Sequence, residues 1–131
     1  MKLKTVISAV SFFATLPCAL LGLVGGEVVA QTLESDFGLG HATVNLVVCY
    51  KGKSMFATSI NICIESGGKA YCFSPQITSG WRPQISCISM RDGQECLLVT
   101  VGDETVNATH FLLYQLAQGE ATLVEHYKIF G

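Results

Sequence analysis

The sequence predicts an all-β fold, a small disulfide-stapled β-sandwich of six or seven short antiparallel strands. Three observations predict it. Between residues 42 and 65 apolar side chains recur at period two, a spacing a helix cannot use to bury one side. Turn signals recur roughly every ten residues, which fits a succession of short strands. The chain also carries six cysteines, five of them behind an apolar leader, the composition of a small secreted domain held by disulfides.

The leader comes first. Lys2 and Lys4 give a positive start, and an apolar stretch from Val6 to Val24 follows, ending in Gly25-Gly26 and the small-residue site Val28-Val29-Ala30. This is a signal-peptide pattern, 1–30, with cleavage expected after Ala30. A retained membrane anchor is the alternative. Pro17, the glycine pair and the cleavage-type site favour removal. The secreted domain is then 31–131, one domain rather than two. The protein is expected to be extracellular. No later segment is long and apolar enough for a membrane helix. Without Lys2, Lys4 and Glu27 the chain keeps six basic and nine acidic residues, a formal charge of −3. That surface is a poor match to a polyanion, so nucleic-acid binding is not expected.

Residues 31–41 (QTLESDFGLGH) read as a loosely ordered arm. Val44, Leu46 and Val48 then mark a first strand, and Lys51-Gly52-Lys53 a turn. In the second strand Phe56, Thr58, Ile60, Ile62 and Ile64 share one face, and Ala57, Ser59, Asn61, Cys63 and Glu65 the other. Gly67-Gly68 reads as a two-residue hairpin loop, because glycine accepts the positive φ angles that loop needs. In that register Ser66 faces Lys69, Ile64 faces Tyr71 and Cys63 faces Cys72. The last is a non-hydrogen-bonded pair with α-carbons about 4.5 Å apart, close enough for a disulfide.

Ser79-Gly80-Trp81-Arg82-Pro83 reads as a break. A second hairpin follows, with Ile85–Met90 and Cys96–Val101 flanking a two-residue Asp92-Gly93 turn. That register sets Ile88 against Leu97 and puts Cys87 and Cys96 diagonally on one face, a less favourable geometry for pairing. Either thiol can instead reach Cys49. Residues 109–117 (THFLLYQLA) fit a strand or a short helix, and 121–130 alternate as a final strand.

Five cysteines remain after the leader, so at least one stays free or pairs between chains. No CxxC or Cys/His zinc spacing occurs, and neither a metal nor a cofactor is expected. His41, His110 and His126 are the acid–base candidates. A small ribonuclease-like hydrolase would need a histidine, a carboxylate and an arginine converging on a phosphate. Arg82 and Arg91 both fall in or beside turns, and no nucleophile motif such as G-x-S-x-G is present. A catalytic role is therefore not expected. Asn107-Ala108-Thr109 is an N-glycosylation sequon in a polar turn. Trp81, the one tryptophan, is either a partner anchor or a cap on the core. The final strand near Tyr127 and Ile129 is the other candidate contact region, as an edge open to a partner strand.

Two segments, LVVCYKGK around Cys49 and MRDGQECLLVTVGDE around Cys96, resemble the MAX effectors of fungal plant pathogens. The resemblance implies a six-stranded sandwich of two three-stranded sheets and a disulfide joining Cys49 to Cys96, with Cys87 free or buried. It also implies a non-enzymatic virulence protein that binds host proteins. Cys63, Cys72 and Cys87 are additional to the family pattern, the Cys49-to-Cys96 interval is wide, and the chain runs past the expected sixth strand.

Overall fold

The computed structural model describes residues 26–131, so the expected signal peptide lies outside the described residues up to residue 25. The described chain is all-β and antiparallel. Its strands are β1 (Glu27–Ser35), β2 (Ala42–Tyr50), β3 (Phe56–Ser66), β4 (Lys69–Phe73), β5 (Gly80–Ser89), β6 (Glu95–Asp103), β7 (Ala108–Ala117) and β8 (Glu120–Phe130). Eight strands, rather than six or seven, form one sheet in the order β1-β2-β3-β5-β6-β7-β8, with β4 also paired to β3. The sheet folds over on itself. Val44, Leu46 and Val48 of β2 and Ile60, Ile62 and Ile64 of β3 share one core with Leu97, Val99 and Val101 of β6 and Leu112, Tyr114 and Leu116 of β7. Contacts between side chains and backbone hold the halves together. The Tyr71 hydroxyl on β4 reaches the carbonyls of Ala117 and Glu120 in the β7–β8 turn at 3.1 and 2.9 Å. Phe73 packs on Tyr114, ring centroids 5.0 Å apart.

The additional strand is β1. Residues 31–35 are ordered strand rather than a loose arm, and the expected cleavage point after Ala30 falls at a bulge inside that strand. Two of the positions that β1 turns toward the body of the protein are polar, which is why alternation did not reveal it. Gln31 brackets the backbone of Ile85 on β5: its Nε2 donates to the Ile85 carbonyl at 2.7 Å, and its Oε1 accepts from the Ile85 N–H at 2.8 Å. Ser35 donates to Glu95 at 2.8 Å. Phe37 follows with a left-handed backbone (φ 51°) and is fully buried. Its N–H donates to the same Glu95 carboxylate at 2.8 Å.

The first hairpin is as derived. Gly67 and Gly68 carry φ of 59° and 79°, Ser66 pairs with Lys69, and Cys63 is bonded to Cys72 with α-carbons 4.1 Å apart. The second hairpin differs by one residue. The Gly93 N–H donates to Met90 O, Met90 N–H to Gln94 O, and Gly93 is left-handed at φ 86°. This is a type I turn closed by a left-handed glycine, a three-residue loop instead of a two-residue one. The extra residue shifts the register, so Ile88 faces Cys96 and Cys87 faces Leu97. Because side chains alternate across a strand, Cys87 and Cys96 point to opposite faces rather than sharing one. Both are free thiols. That corrects the expected Cys49–Cys96 bond: Cys96 is buried and unbonded, and burial pushes its thiol pKa up.

Two further expectations are resolved. Residues 109–117 belong to strand β7, paired on both sides, with Leu112, Tyr114 and Leu116 turned into the core. Gly80 to Pro83 are not a break but the start of β5, bent by a bulge at Arg82, whose φ is 44°. At this corner Phe56 and Ala57 of β3 pair with Trp81 and Gly80. Gly80 (φ 154°) packs so closely on β6 that a β-carbon there would meet the Val101 side chain and lie 2.6 Å from the Gly102 carbonyl oxygen.

Candidate functional site

Besides the short β4, which branches off β3, the sheet has two terminal strands, and they are treated differently. The β1 edge lies along β5 and is occupied by the Gln31–Ile85 bracket. β8 pairs only with β7. The Gly131 N–H donates to Asn107 O, which fixes the alternation along the antiparallel pair. Ile129 and Tyr127 exchange hydrogen bonds with β7, while the backbone groups of Phe130, Lys128 and His126 point outward. These outward groups form a template for another strand.

The side chains beside that edge are unusually apolar for a solvent-facing strand. Val124, Tyr127, Ile129 and Phe130 are exposed, Ile129 by 53% and Phe130 by 65%. Tyr127 stacks on Phe111 of β7, centroids 5.3 Å apart and planes within 10°, which holds the ring in place at the edge. The Lys128 ammonium sits 5.6 Å from the Phe130 ring centre, within cation–π range.

Trp81 is half-buried at the β3–β5 corner, edge-on to Phe56 at 6.2 Å, with its β-carbon against Gly102. It therefore caps the core, and its free side lines a shallow cleft with Lys51, Lys53, Ser54, Phe56 and Glu104. The Trp81 cleft and the β8 edge are separate places on the surface. Asn107 is exposed in the β6–β7 turn with a left-handed backbone (φ 50°), an accessible position for its sequon.

The three histidines do not converge. His41 is exposed and 3.3 Å from Glu34. His110 and His126 do meet: Nδ1 of His110 lies 3.1 Å from Nε2 of His126, across β7 and β8. Nε2 of His110 is 3.5 Å from Asp103 at the end of β6. Asp103 is held below the ordinary carboxylate range, first by the Thr105 hydroxyl (2.6 Å) and then by the Thr105 N–H (3.1 Å) and His110, against the opposing effect of burial. His110, Asp103, Glu104 and Thr105 line a cleft of about 410 Å³ with Phe56, Ile77 and Gly80. Arg82 lines a different cleft, beside Gln31 and Tyr50, and Arg91 lies in the β5–β6 turn. Sequence reading named both histidines separately and missed Asp103. The Gln118-Gly119 turn alone would set position 110 against 127 and put the two histidines on opposite faces; the bulge between Leu113 and Tyr114 shifts the register by one and brings them diagonally onto one face.

No family model, curated relative or solved structure matches the chain.

Proposed function

We propose that this chain is a secreted, effector-like virulence protein that binds host proteins without catalysing a reaction, and that its partners dock on the open edge of β8. The observation that carries the reading is that edge itself: outward backbone groups at His126, Lys128 and Phe130, flanked by exposed Tyr127, Ile129 and Phe130. Main-chain pairing would supply affinity, and the flanking side chains specificity. The resemblance of two segments to MAX effectors supports the effector part of the proposal. The experiment is a pull-down from host extract with Lys128→Pro. Proline is tolerated where the N–H faces solvent, so the variant folds but loses an outward donor and presents a ring to the incoming strand. Loss of the captured host protein with an unchanged far-UV spectrum is the expected result.

The second reading is a ribonuclease-like hydrolase, favoured by the Asp103–His110–His126 chain. The two imidazoles touch at 3.1 Å, which leaves no gap for a phosphate between them. Replacing His41, His110 and His126 together by Gln separates the readings. Biological activity survives in a binding module and disappears in a hydrolase.

A further inference from the structure

We propose that His110 and His126 form a two-imidazole site for a divalent transition-metal ion of the zinc and copper class, at the β7–β8 edge.

The argument begins with the register. His110 pairs directly with Lys128, and His126 with Leu112, so the two histidines are diagonal neighbours on one sheet face. Their facing atoms, Nδ1 and Nε2, are 3.1 Å apart. Two imidazole nitrogens bound to one ion at about 2.0–2.1 Å lie about 2.9 Å apart at a right angle and about 3.3 Å apart at the tetrahedral angle. The observed spacing falls between these limits, so an ion enters once the two rings turn to bring both lone pairs onto it.

The protonation pattern fits as well. Asp103 only accepts hydrogen bonds when ionised, and it faces Nε2 of His110. A proton on Nε2 leaves the Nδ1 lone pair aimed at His126. This is the carboxylate–histidine–metal arrangement, in which a carboxylate fixes the tautomer and orientation of a ligand imidazole. Without metal, His126 donates its Nε2 proton to His110. On binding, that proton moves through solvent to the other nitrogen of His126, and Nε2 takes the ion, so no redox step or co-reactant is involved.

Access differs between the two ligands. His110 is buried, anchored under β8, whereas His126 is exposed. The ion therefore enters from solvent on the His126 side. Among the described residues no third His, Cys, Asp or Glu joins the pair. The remaining coordination positions fall to water, which makes the site open rather than structural. The Lys128 charge, next to His110 in register, is drawn toward the Phe130 ring, and Asp103 offsets it.

The test is titration of the chain with zinc chloride and, separately, copper sulfate by calorimetry at neutral pH. One ion per chain is expected. His126→Gln, a change at an exposed position, should weaken binding at least tenfold while leaving the fold intact by circular dichroism. Asp103→Asn should weaken it about 10–100-fold, the usual range for a partner of a ligand histidine, and His41→Gln should leave it unchanged. Copper should broaden the amide signals around residues 110 and 126 first. Absence of saturable binding, equal binding by His126→Gln, or loss of binding in His41→Gln would each overturn the proposal.

Discussion

The side-chain amide of Gln31 accepts from the N–H of Ile85 at 2.8 Å and donates to its carbonyl at 2.7 Å, standing in for a neighbouring strand. This one residue ties the β1 edge to β5. It thereby leaves β8 as the terminal strand whose edge is open.

Replacing Gln31 by Ala should leave both backbone groups of Ile85 without their partner. Because Ile85 is buried, the loss should be about 1–3 kcal/mol. Gln31→Glu should not rescue it, since an ionised carboxylate cannot donate to the carbonyl. Urea denaturation of both variants checks this.

At the opposite corner, Gly80→Ala should destabilise by about 1–3 kcal/mol, as overpacking does in a tight interior. The new methyl would press on the Gly102 carbonyl and the Val101 side chain. A thermal scan should show the loss, and Gly119→Ala, where no neighbour lies within 4 Å, serves as a control for backbone strain alone.

Peptide mapping without reductant should recover a Cys63–Cys72 bond and label Cys87 and Cys96 as thiols after unfolding. Replacing Cys63 and Cys72 together by Ala should cost about 2.7 kcal/mol in the chain-entropy model. A Cys49–Cys96 peptide would contradict the structure.

Acid should loosen the β1–β6 junction. Glu95 is held below its ordinary pKa of 4.5, first by the Phe37 N–H and then by the Ser35 hydroxyl. A carboxylate depressed in the folded state contributes stability above its unfolded pKa and loses it as pH falls through the folded value. Glu95→Gln should therefore lower stability at neutral pH and flatten its decline below pH 4.5. Glu27 works in the other direction: burial raises its pKa from 4.5 to about 7. A chain that retains Glu27 should lose stability as pH rises from 4.5 to 7. A chain that starts at Gln31 should not, and melting temperatures of the two chains across that range check this.

The strands that show in the sequence are those whose inward positions are apolar. Ile60, Ile62 and Ile64 declare β3, and Gly67-Gly68 fixes its hairpin down to the Cys63–Cys72 pair. β1 was hidden because Gln31 and Ser35 do their work by hydrogen bonding, which leaves no hydrophobic period. Asp92-Gly93 signals a turn but not its length. Only the Gly93-to-Met90 hydrogen bond shows that the loop holds one more residue, and that one residue separates Cys87 from Cys96. At the site, Tyr127 and Ile129 were legible as an edge because they lie in the last alternating run. The meeting of His110, His126 and Asp103 depends on the pairing of three strands, which no single segment encodes.

The most direct test of the central proposal is backbone amide exchange along β8, followed by NMR in the free chain and again with a captured host protein bound. In the free chain the amides of His126 and Lys128 should exchange fast while those of Tyr127 and Ile129 are protected by β7. Binding should then protect His126 and Lys128. Outward amides that are slow in the free chain, or that stay fast when the partner is bound, would contradict docking on this edge.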